Sequence, residues 1–299
     1  MKKRRQHYVF QQYLRAWTVD GQIFCLRNGK IFPTNTVNVA QERDFYKLEE
    51  LTEEGITLIN SFISRMNPAY QNANKGWIEF FRLVFIVKQW YEQFEEKHLE
   101  IEELLNEVIN NFEEELHCMI EGEGINPLNN ILNGDISFSE EDSWHDFCFF
   151  LAMQYFRTKK IRERIKCAII DTSNTFQTSG RFGYVEHIFS CIFATNMGFS
   201  LSQMNIMLLE NKTSIPFITA DQPVINIRAD YLNGIQADEI ELYYPVSPQI
   251  AVIIFENDNR TFVTSLASIC DVKKLNDLIF NVSREQIYSN TKESLEKYK

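Results

Sequence analysis

The sequence predicts an α+β fold: a mixed or antiparallel sheet made from an N-terminal hairpin and C-terminal strands, with a large helical middle. Three observations carry this. Asn28-Gly29 lies between two apolar runs, a strong hairpin signal. From about residue 47 to 200 apolar residues recur at three- and four-residue steps. From residue 204 the period shortens to β-rich runs broken by turn residues. The pattern fits a single α+β domain over 1–299, with residues 47–200 as a helical subdomain inside it.

The elements follow in order. Residues 5–17 place Tyr8, Val9, Tyr13, Leu14 and Trp17 at near-helical spacing, with a mixed helix–strand reading open. Gln22–Leu26 and Lys30–Phe32 form the hairpin arms. Helices are expected at 47–66, ended by Asn67-Pro68, and at 74–97. The acidic stretch 91–124 reads as an amphipathic helix with Ile101, Leu104, Leu105, Val108, Ile109, Phe112, Leu116 and Met119 on one face, stopped by Gly122 and Gly124. Ser139 with Asp142 three residues on resembles a capping box opening a helix from about 140 to 170. Another helix is expected near 184–196. Strands follow at 204–209, 215–219, 224–227, 240–244 and 250–255, then a helix at 270–281 and a strand at 286–289. The tail from Asn290 reads as a frayed helix.

Composition sets limits. The 299 residues include 24 Phe and 12 Tyr, enough aromatic surface to argue for a packed globule. With 11 Gly and 7 Pro, collagen-like and linker-like chains are excluded. The formal charge of −11 excludes a globally basic nucleic-acid binder but not a local basic groove. Residues 91–124 hold twelve glutamates and one lysine, so this one segment carries the whole excess. The six cysteines form no C-x-x-C pair and read as reduced, buried thiols. Lys2 to Arg5 is followed by polar residues rather than an apolar signal core, and no 18-residue apolar run occurs. A cytoplasmic protein with no membrane partner is expected.

The chemistry-bearing groups are scattered. His7 sits among Gln11, Arg15 and aromatic residues, and an imidazole that titrates near neutrality suits general acid–base work. Glu42 and Asp44 share a face if extended, as metal binding or acid–base work uses. Gln154, Arg157 and Thr158 share a helical face. Residues 157–166 hold six bases against Glu163, and Arg157, Lys160 and Arg164 can line a groove for phosphate or carboxylate. Lys159 and Arg162 read instead as a solvated helix end. Asp221 ends a strand before Gln222-Pro223, a frequent place for a catalytic, metal or turn-forming carboxylate. His98 and His117 read as surface groups on the acidic helix. P-loop, Rossmann, nucleophile-elbow and zincin motifs are absent from the sequence.

Several of these blocks resemble one family. Arg5-x-His7-Tyr8-Val9-x-Gln11-x-Tyr13-Leu14-Arg15-x-Trp17 is similar to the opening signature of the bacterial domain of unknown function 4238 family, with Phe10 where that family usually has Pro. Ala40-x-Glu42-x-Asp44-Phe45-Tyr46 also fits. Phe150-Leu151-Ala152-x-Gln154-x-x-Arg157-Thr158 looks like the family's Gln-x-x-Arg-Thr helix. Phe217 to Val224 resembles its Thr-Ser-Asp-Asn-Pro-Val block, with Ala220 and Gln222 as departures. Tyr244-Pro245-Val246-Ser247-Pro248 and Leu275-Asn276 resemble two later blocks. The resemblance spans about 5 to 289 and implies no particular reaction.

Two main functions are weighed on these residues, with a nucleotide or sugar-phosphate transferase as a third. The first is a phosphodiesterase or nuclease-like enzyme of the toxin or defence type. His7, Glu42 and Asp221 would be catalytic, and Gln11, Arg15, Gln154, Arg157 and Thr158 would bind substrate. Asp44 and Asp221 are the metal candidates for a divalent cation, and nucleic acid or a nucleotide would lie along 157–166. The second is a non-enzymatic binding or regulatory module, in which the same groups form a structural polar network and the acidic helix 91–124 meets a protein partner.

Overall fold

The computed structural model describes residues 2–171, 182–230, 237–256 and 263–299 in full, and residues 172–176 by backbone alone. It is an α+β fold, as the sequence predicts.

The chain opens with β1 (Arg5–His7), a single helical turn α1 (Gln11–Leu14) and a 3-10 turn through Trp17. The mixed reading of this segment holds. The hairpin β2 (Ile23–Arg27) and β3 (Lys30–Thr34) turns on Asn28 and Gly29, both at positive φ (53° and 70°). That pair of left-handed residues matches the twist of the arms. β4 (Gln41–Arg43) returns to pair antiparallel with β1, placing Gln6 opposite Glu42.

The helices are α2 (Glu53–Ile63), α3 (Pro68–Glu92), α4 (Leu99–Leu132), α5 (Ser143–Phe156), α6 (Lys159–Phe176) and α7 (Val185–Leu201). The strands β5 (Asn205–Glu210), β6 (Thr219–Ala220), β7 (Ile225–Asn226), β8 (Glu241–Pro245), β9 (Ile250–Phe255) and β10 (Val263–Leu266) follow, then α8 (Ile269–Val282), β11 (Gln286–Ser289) and a last turn α9 (Glu293–Glu296).

The described residues form three sheets. β1–β4 is a two-stranded ribbon, β3-β2-β11-β6 brings the N-terminal hairpin beside C-terminal strands, and β10-β5-β9-β8-β7 is mostly antiparallel, with β10 parallel to β5. The main core gathers the N-terminal segment, the helices and the inner faces of β5, β8 and β9. A second core lies between α8 and the C-terminal strands. Among the described residues no helix is long and apolar enough to cross a membrane.

Several expectations are corrected. Asn67-Pro68 does not end a helix at 66. Asn67 Oδ1 caps the Ala69 N–H at 3.0 Å and Pro68 starts α3, where its missing N–H costs nothing. α3 accordingly runs 68–92, not 74–97. α4 passes through both Gly122 and Gly124 and stops at Gly134, whose φ of +78° and bond from its N–H to the Ile131 carbonyl give a C-terminal cap. Four of its expected inward residues, Ile101, Leu104, Val108 and Met119, are exposed.

Ser139 caps nothing. Its hydroxyl donates to the Ile136 carbonyl within a 3-10 turn, and the helix begins at Ser143. The single helix expected from 140 to 170 is two, broken at Arg157-Thr158. The ribbon β1–β4 and strand β10 go beyond the expected strands; the ribbon is short and polar and β10 is short and largely exposed, so their pairing comes from neighbours rather than from an apolar pattern. The tail is fixed rather than frayed: Leu295 is fully buried and Tyr298 stacks on Phe280. The cysteines divide, with Cys25, Cys148 and Cys191 buried and Cys118, Cys167 and Cys270 exposed, all free.

Candidate functional site

The break between α5 and α6 is the centre of the site. Arg157 is 2% exposed, and each of its three side-chain nitrogens donates to an internal acceptor. Nε donates to the Tyr46 hydroxyl at 2.9 Å, Nη2 to the His7 carbonyl at 2.5 Å, and Nη1 to the Glu121 carboxylate. Burial works against its charge, but Tyr46 and Glu121 outweigh it and hold the guanidinium protonated. The Tyr46 hydroxyl in turn donates to the His7 carbonyl at 3.1 Å. Gln6 is buried behind this knot, accepting from the Tyr46 N–H at 2.7 Å and donating to the Asn110 carbonyl at 2.8 Å. β1, α4 and the α5–α6 break are thereby tied together.

A second buried group adjoins it. Glu113 is fully buried, and Arg162 and His187 both reach its carboxylate, with His117 Nε2 at 3.3 Å. Burial pushes Glu113 up, yet the charges of Arg162 and His187 and bonds from His117 and His187 win and hold it well below the usual carboxylate range. His117 is the reverse case: burial first, then the Arg157 charge, lowers its pKa to about 3. The Arg162 guanidinium also lies 4.9 Å from the Tyr46 ring centre and 5.3 Å from that of Phe45. Arg162 and His117 are therefore core groups, not the solvated ones the sequence suggests. The reason is pairing: each is buried against Glu113, which satisfies part of its polarity.

The remaining predicted residues do not converge. His7 is partly buried and bonds to the Val37 backbone, while its Nε2 is buried without a partner. Burial, reinforced by Arg157, lowers its pKa. Gln11 Nε2 donates to the Thr36 hydroxyl at 3.3 Å. Arg15 is exposed at a cavity of about 300 Å³ between the N-terminal segment and the end of α4, lined by Phe10, Ile125, Leu128 and Val246 among others. Glu42 is exposed and pairs with Lys159 at 2.9 Å, and Lys159 also holds Glu285 at 3.1 Å. Lys159 is thus a bridge between the ribbon and the turn before β11. Asp44 has a φ of +53°, so it does not share an extended face with Glu42.

Asp221 is 4% exposed and accepts the backbone N–H groups of Arg284, Glu285 and Gln286 at 2.8, 2.7 and 3.0 Å. Burial raises its pKa despite those three bonds. Its visible role is to hold the turn into β11. Thr158 bonds Gln222, whose Nε2 donates to the Val224 carbonyl at 2.9 Å. Gln154 is buried, and its Nε2 has no partner among the described residues. The expected groove of Arg157, Lys160 and Arg164 does not form: Arg157 is internal, Lys160 Nζ donates to the Val282 carbonyl at 2.6 Å, and Arg164 lines a separate apolar cavity with Phe62 and Phe189. Among the described residues, no three of His, Cys, Asp and Glu gather as a metal site requires.

Sequence reasoning missed Gln6, Glu113, Glu121 and His187. Glu113 and Glu121 are hidden in the acidic run; only the Glu113–His117 spacing of four hinted at a pair. His187, alone in the apolar run of α7, was the visible signal for a buried ionic partner.

No curated protein and no solved structure matches the chain. A family model described as "Protein of unknown function (DUF4238)" matches residues 5–293, which takes in each block discussed above. His7, Tyr46 and Arg157 of the knot stand in those blocks, and the chain belongs to this family of unknown function, DUF4238.

Proposed function

We propose that the chain is a non-enzymatic binding or regulatory module, in which the family's polar residues fix the fold and the acidic helix α4 meets a basic protein partner. One observation carries this. Arg157 is 2% exposed, and each of its three side-chain nitrogens already donates to an internal acceptor, Tyr46, Glu121 or the His7 carbonyl, so the guanidinium is turned inward rather than toward an external phosphate. Asp221 supports the same reading through its three backbone bonds. Removing one partner of such a buried pair costs about 3–5 kcal/mol. Arg157→Ala is expected to melt roughly 5 °C or more below the parent by calorimetry. An Arg157→Ala protein that melts at the parental temperature would sink this reading, because an acid–base or anion-binding residue can be lost without loss of stability.

A second reading keeps a phosphodiesterase or nuclease-like activity with a divalent cation. It is favoured by His7, whose Nε2 is buried without a partner and whose lowered pKa keeps it neutral and able to accept a proton. Glu42, on the strand paired with that of His7, would be the nearest carboxylate in sequence register. Purified chain with Mg²⁺ or Mn²⁺ would then cleave RNA or DNA, and His7→Ala would not. Absence of cleavage, with His7→Ala indistinguishable in cells, removes this reading.

A further inference from the structure

The paired helices α3 and α4 leave a large apolar surface uncovered. Phe80 and Phe81 pack against Phe112, so α3 and α4 run antiparallel toward a tip near residue 95. On α3 the core-facing side carries Ile78, Phe81 and Phe85. The opposite side carries Leu83, Val87 and Trp90, spaced four and three apart, and Phe94 follows just past the helix end. All four are exposed, Trp90 by 64% and Phe94 by 65%. On α4, Leu99, Ile101, Leu104 and Val108 are exposed as well. Alternating steps of three and four form the seam by which a helix packs on another helix. Large apolar side chains left exposed along both helices of a pair are what an interaction surface is built from.

The charge around this surface selects the occupant. Between Lys88 and Val108 stand seven glutamates and two lysines. Lys88 pairs with Glu92 at 3.6 Å, and Lys97 donates to the Tyr91 carbonyl. Two copies meeting through this face would bring acidic rim against acidic rim, a repulsion that opposes self-association. An anionic membrane is disfavoured for the same reason. A helix with leucine-like anchors on one side and lysine or arginine on its flanks satisfies both features at once.

We infer that the tip formed by α3 and α4 docks a basic amphipathic helix of a partner protein, its apolar side on the exposed stripe and its bases against the flanking glutamates. This rests on the binding-module reading and names the partner's chemistry. It is tested separately from it, since the melting test above does not touch these residues.

The experiment titrates the full chain with a synthetic two-heptad helix made only of leucine and lysine, followed by calorimetry and by tryptophan emission. Trp90 is exposed, whereas Trp17 and Trp144 are buried and Trp77 is partly buried with its Nε1 on Thr195, so the Trp90 emission should shift to the blue on docking. Affinity should fall at least tenfold between about 50 and about 300 mM NaCl. Val87→Ser with Trp90→Ser keeps every charge and should abolish binding. Glu100→Gln with Glu103→Gln keeps the stripe and should remove most of the salt dependence. The inference is overturned by equal binding of a leucine–glutamate helix or by undiminished binding to the Val87→Ser/Trp90→Ser protein. It is equally overturned by sedimentation that shows a dimer dispersed by those two serines, or by stripe-dependent binding to zwitterionic vesicles in place of the peptide.

Discussion

Individual residues in this protein read differently once their partners are known. Arg162 and Lys159 stand three apart in one basic run, yet one is a core cation on Glu113 and the other a half-buried bridge between Glu42 and Glu285. His117 gives this a measurable consequence. Its folded pKa is about 3, against an unfolded value near 6.5. Between those values the unfolded chain binds a proton that the native chain refuses, so stability falls as pH drops below about 6.5. Glu113 acts in the same direction lower down: its depressed pKa contributes stability above about 4.5, lost as pH falls further. Urea unfolding from pH 7 to 4 should show a decline of up to about 1.4 kcal/mol per pH unit for each such proton. His117→Gln should flatten the upper part of that profile, and an unchanged slope would show that His117 titrates normally.

At the scale of elements, glycine decides how α4 runs. Gly122 is exposed, and a Cβ there would meet nothing within 4 Å. Gly124 is buried two residues on, and a Cβ would stand 2.5 Å from the Phe150 ring of α5. The first glycine only weakens the helix, while the second allows α4 and α5 to cross closely. Gly122→Ala should raise stability by about 0.5–1 kcal/mol. Gly124→Ala should lower it by about 1–3 kcal/mol through overpacking. Denaturant midpoints of the two single variants check both, and equal signs would refute the assignment. The α5–α6 break joins a local bond to distant ones: the Thr158 hydroxyl bonds back to the Tyr155 carbonyl at 3.2 Å while the Arg157 side chain is drawn into its knot.

Across the whole molecule, the first seventeen residues are the keystone. Tyr8, Val9, Tyr13, Leu14 and Trp17 are all buried in the main core. The Tyr13 hydroxyl lies 2.6 Å from the Thr219 hydroxyl and 2.7 Å from the Pro245 carbonyl, and Trp17 Nε1 donates to the Phe217 carbonyl at 3.2 Å. These bonds join the first residues to strands two hundred positions away. A chain lacking residues 1–18 should therefore lose fixed tertiary packing while retaining helix, seen as loss of near-ultraviolet circular dichroism with far-ultraviolet signal kept. Retention of the near-ultraviolet spectrum would show that the segment is merely attached. The same long separations explain why the family's blocks lie so far apart in sequence. Asn276, in the last of them, accepts from the Ile218 N–H at 3.0 Å and donates to the Pro216 carbonyl at 2.9 Å.

The sequence by itself determined the elements whose signals are local. The Asn28-Gly29 hairpin, the strands at 205–210, 241–245 and 250–255, and helices α7 and α8 follow from short-range period and turn chemistry. It also singled out Arg157, Thr158, His7 and Asp221, because such groups beside aromatic runs are conspicuous, while Gln6, Glu113, Glu121 and His187 gave little signal. Tertiary structure alone decided what those residues do. Glu113 and Glu121 look like their exposed neighbours on α4 until Arg162 and Arg157 arrive from another helix. Ile101, Leu104 and Val108 look like core until the bundle leaves them uncovered. Burial and pairing depend on groups distant in sequence, and neither is encoded in the spacing of residues along one helix.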